Sequence, residues 1–270
     1  MNNFWQRLIT GSVFVLVLSL AVLQGVVASS ALFFLAALIG TSEYLNILDK
    51  GKKATPSKFM TFLSVSVVQV LFFLVSAELA EDIILLVAVP VLFIQVLVEL
   101  FRDKVDGFSR IALAVFGTIW VGLPFALLPY IGTINGTYTG WTVLGFFLLL
   151  WTNDTGAYLS GRSFGKHKLA PKISPGKTIE GFIGGVILAL VLAYFMPVIT
   201  GELTETRWIV IAFIIAVFSN AGDLVESMLK RSCGVKDSGA ILPGHGGILD
   251  RFDGILLAVP VILAYLLLSN

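Results

Sequence analysis

IEGFIGGVILALVLAYFMPVI, residues 179–199, carries a single charge, Glu180, beside its start. About twenty such residues are what a helix needs to cross the hydrocarbon of a bilayer. Comparable runs recur on both sides of it. Read outward, the expected spans are 6–27, 30–48, 59–77, 83–101, 109–130, 140–161, 179–199, 207–229 and 249–268. The composition agrees: 57% of residues are hydrophobic, 13% are charged and the mean hydropathy is +0.95. The expectation is an all-α, polytopic integral membrane protein of about nine transmembrane helices.

Lys and Arg are retained on the cytoplasmic side of a spanning chain, so their placement tests orientation independently of hydropathy. With the N-terminus inside, the inner segments hold Arg7; Lys50, Lys52, Lys53 and Lys58; Arg102, Lys104 and Arg110; Arg162, Lys166, Lys168, Lys172 and Lys177; and Lys230, Arg231, Lys236 and Arg251. Of the 18 basic residues only Arg207 falls outside, where Glu78, Glu81, Asp82, Glu202 and Glu205 also lie. This predicts N-in and C-out. Alternation would survive an error of two helices, so it fixes the side of each loop better than the total. Arg7 followed by an apolar run ending in Ala28–Ala31 has the outline of a secretory signal, but the run is long for a signal core. Segment 1–135 holds helices one to five. Segment 136–270 holds helices six to nine, their cytoplasmic loops and every chemical motif.

One cysteine, Cys233, excludes an intrachain disulfide and any multi-cysteine metal site. With His167 and His245 the only histidines, a histidine metal cluster cannot be built either. No internal repeat supports a transporter of inverted-repeat design. The connections 162–178 and 230–248 have room for loops or short helices, not for a soluble domain.

Chemistry concentrates in Ser227–Asp253, SMLKRSCGVKDSGAILPGHGGILDRFD, which gathers three acids, four basic residues and a glycine-rich turn. On the eighth span Asn220, Asp223, Glu226, Ser227 and Lys230 recur at three or four residues, along one helical face. On the ninth, Asp250 and Asp253 occupy the first turn, where the helix dipole favours carboxylates; ordinary capping would also place them there. Glu43 and Glu99, near cytoplasmic helix ends, read as snorkelling acids or as partners of Lys50 and Arg102. Oxygen donors without His or Cys suit Mg2+, held by one or two carboxylates and completed by substrate phosphates and water. Asp223 and Asp250 are the leading metal ligands. Carboxylates alone would equally suit a cation channel or a proton path. Lys230, Arg231, Lys236 and Arg251 shift the reading towards phosphate, as do Gly244, Gly246 and Gly247, where backbone can approach a ligand. His245 reads as a polar loop residue or a phosphate contact.

A second basic loop, Gly161–Gly181, adds Lys177 beside Ser174 and Gly176 at a helix entrance suited to anions. Arg162, Lys166 and Lys168 serve equally well as positive-inside anchors. Gly176–Lys177–Thr178 is not a P-loop: Pro171 stands where the first glycine is required and no preceding strand is expected. Gly181 and Gly185 form a GxxxG pair suited to close helix packing.

The run Ser227, Lys230, Arg231, Lys236, Asp237, Pro243, His245, Gly246, Gly247, Asp250, Arg251, Asp253 resembles the signature of the phosphatidate cytidylyltransferase (CDP-diacylglycerol synthase) family. Asn153, Asp154, Tyr158, Gly161, Arg162, Gly165, Ser174, Pro175, Lys177 and Glu180 are similar to the same family's upstream segment. Helices one to five resemble it in character only. The resemblance implies a bacterial inner-membrane enzyme with its site on the cytoplasmic side. It would join CTP to phosphatidate, giving CDP-diacylglycerol and pyrophosphate, as a homodimer requiring a divalent metal. For that reaction the expected roles are Asp223 and Asp250 as metal ligands, with Lys177, Lys230 and Arg251 as phosphate clamps. Asn153, Asp154 and Ser174 would contact substrate or a second cation. Arg231, Lys236, His245, Gly246 and Gly247 would bind substrate, while Asp237 and Asp253 orient Lys236 or Arg251. Membrane lipids are partners and nucleic acid is not. A CTP-dependent lipid kinase and a cation-coupled transporter are the alternatives.

Overall fold

The computed structural model describes residues 3–102, 106–241, 244 and 246–269; Lys104, Pro243 and His245 lie outside them. The helices are α1 (Asn3–Gln24), α2 (Val26–Lys50), α3 (Lys58–Ser76), α4 (Ala88–Phe101, entered through a 3-10 segment Asp82–Val87) and α5 (Gly107–Phe116). A π-helical segment, Gly117–Gly122, leads into α6 (Leu123–Ile131). There follow α7 (Gly140–Phe164), strands β1 (Lys168–Ala170) and β2 (Ser174–Thr178), α8 (Ile179–Thr200), α9 (Glu205–Ser232), α10 (Leu249–Phe252) and α11 (Ile255–Leu268). Among the described residues seven helical stretches are long and apolar enough to cross a membrane. They are α1 to α3, Asp82–Leu100, Gly107–Ile131, α8 and α9. α7 and α11 fall outside that set. α7 has 25 residues but carries Asn153, Asp154 and Arg162 in its second half, and α11 has 14 apolar residues.

Helix occurs within each stretch where it is expected, with four local differences. The first break falls at Gly25 and not at 28–29, because Gly25 adopts φ 126°, ψ 179°, a conformation essentially closed to other residues. Span 109–130 contains the π segment, where Gly117 packs on the Tyr44 ring and Gly122 on Val65 with no room for a Cβ. The last span is interrupted after Phe252: Asp253 and Gly254 keep helical dihedrals, but the Asp253 carboxylate accepts the Gly254 N–H at 2.7 Å. The fourth difference is the connection 162–178, which holds neither a bare loop nor a short helix. Its β1 and β2 form an antiparallel hairpin with Lys168 opposite Thr178 and Ala170 opposite Ser174. Pro171 and Pro175 disfavour helix there, and Pro175 is tolerated in a strand that pairs on one side only.

The site's frame is the packing of α7, α8, α9 and α11. Gly181 and Gly185 do seat α8 against α7, as the GxxxG spacing anticipates: an added Cβ would stand 2.8 Å from the carbonyl oxygens of Ala157 and Asn153. Gly222 brings α9 onto the chain at Asp253, where a Cβ would collide with that carbonyl oxygen. Thr178 caps α8, its hydroxyl accepting from Gly181 N–H at 3.1 Å, so Lys177 stands just ahead of the helix. A single hydrophobic core runs through both halves of the chain, including Leu18 and Val22 of α1, Phe33 of α2, Phe147 of α7, Trp208 of α9 and Ile255 of α11. Phe252 anchors the last segment in it, edge-on to Phe14, Phe33 and Phe125.

Candidate active site

Two lysine–aspartate pairs define the site. Lys177 Nζ lies 2.7 Å from Asp223 Oδ2 and donates at 3.3 Å to both the backbone and side-chain oxygens of Asn220. Lys230 Nζ bridges Glu226 Oε2 at 2.7 Å and Asp250 Oδ1 at 2.5 Å. The three- and four-residue spacing on α9 produces this arrangement: Asn220 and Asp223 open towards Lys177, while Glu226 and Lys230 turn inward and are buried. The Ser227 hydroxyl donates to Asp223 Oδ1 at 3.1 Å and fixes that carboxylate from its own helix.

Asp223 and Asp250 line one cavity of about 200 Å3, together with Asp154, Asp253, Lys177 and Arg251. Two larger hollows adjoin it. Asp154, Lys177, Asn220 and Asp223 also border a 420 Å3 cavity reaching along α7 and α8 past Tyr158, Arg162 and Gly176. Asp250 and Arg251 also border a 650 Å3 cavity walled by Lys230, Lys236, Asp237, Gly244, Gly246 and, from α1, Arg7. Acid and base from both ends of the C-terminal half therefore meet in a small central chamber between two wider ones.

Formal charge shows what the chamber would accept. The chamber is lined by aspartates 154, 223, 250 and 253 against Lys177 and Arg251, a formal excess of two acidic groups. One carboxylate oxygen, Glu226 Oε1, is buried without a hydrogen-bond partner among the described residues. The donors are all oxygen, which suits a hard divalent cation. No three acidic, His or Cys side chains among the described residues converge closely enough to enclose a metal alone. The donor set thus fits a cation completed by substrate and water better than a closed protein cage.

The other expected site residues are distributed as follows. Asn153 is fully buried behind the chamber, its amide donating to Ser219 Oγ and Asp154 Oδ1 at 3.4 Å. Ser174 is half-buried in β2, and Arg231 is exposed at the end of α9; neither borders these three cavities. Lys236 and Asp237 are exposed on the wall of the outer cavity. Gly246, at φ 83°, lies so close to the Asp250 carboxylate that a Cβ would meet it at 2.5 Å. Gly247 N–H donates to Asp250 Oδ2 at 2.9 Å. Asp253 lines the chamber. His245 lies outside the described residues.

Two acids in the first half take different courses. Glu99 pairs with Arg102 at 3.0 Å, as expected, and also with Arg110 at 3.4 Å. Glu43 neither snorkels nor pairs with Lys50. It is 4% exposed, and backbone amides and a hydroxyl from the second half surround its carboxylate. Sequence reasoning missed it, with Ser238 and the reach of Arg7, because a partner two hundred residues away leaves no local spacing signal. The one available cue was an acid about two turns before the end of a largely apolar helix.

Fold and site together define a polytopic membrane protein with an oxygen-donor, phosphate-suited chamber at one end of its helical bundle. The chain belongs to the cytidylyltransferase family, whose model matches residues 5–269. It is 34% identical over 258 residues to a phosphatidate cytidylyltransferase of Staphylococcus haemolyticus, covering 95% of this chain and 96% of that protein. More local similarity reaches 51% over 123 residues with the Haemophilus influenzae enzyme of the same name, covering 44% of this chain and 43% of that one. With the Staphylococcus saprophyticus protein it is 44% over 158 residues, or 59% of that relative's length.

Proposed function

We infer that this chain is a phosphatidate cytidylyltransferase: it transfers the cytidylyl group of CTP to phosphatidate, forming CDP-diacylglycerol and pyrophosphate. The observation that carries this reading is the pair of Lys–Asp contacts, Lys177–Asp223 and Lys230–Asp250, around one chamber in a chain that matches cytidylyltransferases along its length.

A phosphate oxygen of the lipid attacks the α-phosphorus of CTP; the new P–O bond forms as the bond to the β-phosphate's bridging oxygen breaks, and pyrophosphate leaves. The attacking oxygen is already anionic near neutral pH, so the protein need supply no nucleophile. Its task is positioning and charge neutralisation. Lys177 and Arg251 face the chamber from two directions, and Lys230 stands behind Asp250; these three clamp phosphate oxygens. Asp223 and Asp250 would hold Mg2+, and the chamber's charge excess supports a divalent ion there. Mg2+ would neutralise the triphosphate and the departing pyrophosphate. Asp154, with Asn153 behind it and Ser174 on the hairpin, contacts substrate or a second cation. Lys236 and Gly246 border the outer cavity, on the side from which a water-soluble nucleotide arrives, and Gly247 is buried next to Gly246 with its amide on Asp250. Arg231 and His245 would bind substrate, with Asp237 and Asp253 orienting Lys236 and Arg251. Lipid enters sideways between helices.

The topology that fits this division of substrates has nine membrane crossings, N-in and C-out, with the chamber at the cytoplasmic face of a bacterial inner membrane. Arg7 supports it by reaching the same outer cavity as Lys236, which places the start of α1 at the chamber's end of the bundle. The protein acts as a homodimer.

Purified protein in micelles with Mg2+, phosphatidate and α-labelled CTP tests the reading. Labelled lipid with equimolar pyrophosphate is expected. Release of CDP would identify a lipid kinase. Folded protein that leaves CTP intact but moves an ion would identify a transporter.

A further inference from the structure

Glu43 lies on α2, in the half of the chain that contributes none of the lysine or aspartate side chains of the central chamber. Among the described residues its carboxylate bonds to the catalytic half. Oε1 accepts the Ile248 N–H at 2.9 Å, and Oε2 accepts the Leu249 N–H at 2.9 Å and the Ser238 hydroxyl at 3.1 Å. The site is shaped around it: a Cβ on either Gly239 or Gly247 would strike Oε1. The glycines of this loop therefore give room to a carboxylate of the protein itself.

The three donors lead directly to Asp250. The single Ser238 hydroxyl proton is shared between the two carboxylates, its oxygen lying 2.8 Å from Asp250 Oδ2, and the Ser238 and Gly247 amides each donate to that Oδ2 at 2.9 Å. Oδ2 is thereby occupied, and Oδ1 is left towards Lys230. Ile248 and Leu249 are the residues from which α10 starts and Asp250 projects. An anion accepting those first amides sets the helix entry as a capping carboxylate does, from a different helix.

We propose that Glu43 is a positioning residue for cytidylyl transfer: by clamping Ser238 and the 248–249 amides it fixes the orientation of the Asp250 carboxylate, with Oδ2 held by the loop and Oδ1 turned to Lys230. The proposal rests on the functional reading above. A glutamine at 43 keeps the shape but has one acceptor oxygen and presents N–H groups where the loop offers donors, so part of the clamp inverts. Displacements of about 1 Å at a reacting centre cost roughly 100-fold in rate.

The test uses the full chain in micelles, comparing wild type, Glu43→Gln, Ser238→Ala and the double variant per folded molecule. Both single variants should lower kcat, Glu43→Gln by roughly 10- to 100-fold, with KM for CTP changed less than about threefold, because the nucleotide-facing cations stay in place. The double variant should fall no more than about threefold below the worse single one, since both changes break one relay. A merely structural role would lower the yield of folded protein and leave kcat per molecule intact; that result overturns the proposal, as does full multiplication of the two effects. If Glu43→Gln does not fold, Ser238→Ala decides alone, and unchanged kcat overturns the proposal. An inactive wild type would overturn the functional reading and this one with it, whereas an active wild type with equally active variants overturns only the positioning.

Discussion

Replacing Lys230 with Met should separate the site's contribution to stability from its contribution to rate. Lys230 is the only cation bonded to both Glu226 and Asp250 among the described residues, with side-chain exposures of 11%, 0% and 10% for the three groups. None is exposed enough for solvent to replace the lysine. Removing one partner of a buried ion pair costs about 3–5 kcal/mol, because the surviving charge stays desolvated. Here two carboxylates survive, so the upper part of that range applies, and a melting point lower by about 10 °C or more is expected. If Lys230 also clamps phosphate, kcat per folded molecule should drop a further ~100- to 1,000-fold, as when one donor to a developing anion is lost. Adding Glu226→Gln removes one uncompensated carboxylate and should restore most of the melting point without restoring the rate. Scanning fluorimetry in detergent and the labelled-lipid assay would measure the two effects. Lys230→Met with wild-type melting would refute the buried-bridge argument, and recovery of rate in the double variant would refute the phosphate role.

Other predictions follow from single contacts. Gly222→Ala should destabilise the protein by about 1–3 kcal/mol, since its methyl meets the Asp253 carbonyl oxygen and pushes α9 from the α10 segment; thermal melts check this. Arg251→Ala should lower kcat by ~100-fold or more, while Lys172→Ala, exposed and bordering none of the three cavities, should leave it within about twofold. Chelation of divalent metal should abolish lipid labelling and added Mg2+ restore it, with Asp223→Asn raising the Mg2+ needed for half-maximal rate; activity in chelator would sink the metal assignment. Cysteine introduced at Lys172 should react with an impermeant thiol reagent from the cytoplasmic side and cysteine at Asn135 from the opposite side. Cys233 is buried and gives little background; the reverse labelling would overturn the orientation.

Much of the site is local in sequence and for that reason could be read there. Asn220, Asp223, Glu226 and Lys230 share a helix face by spacing alone, and Lys177 precedes a helix whose start Thr178 marks. Asp223 and Asp250 could be paired only by supposing that the eighth and ninth spans converge at one membrane face, which the charge pattern of the loops implied. The hairpin at 168–178 was illegible because a three-residue and a five-residue strand carry no periodicity, although the prolines at 171 and 175 argued against helix. The Glu43 reading failed differently. A carboxylate in an apolar helix must find donors, but spacing could not reveal donors on a loop two hundred residues later.

The amino-acid sequence by itself determined that the chain is helical and polytopic, since lipid admits no unsatisfied backbone and runs of twenty apolar residues have no other use. It also supplied the chemical class proposed for the site, because oxygen and cation donors without His or Cys suit phosphate and hard metals. Tertiary structure alone decided which carboxylate faces which lysine, that Asn153 stands behind the chamber while Arg7 reaches its outer wall, and that Glu43 holds the Asp250 loop. Those outcomes depend on how helices cross and how closely glycines let them approach, and hydropathy and spacing along one strand of sequence do not encode distances between strands that meet only after folding.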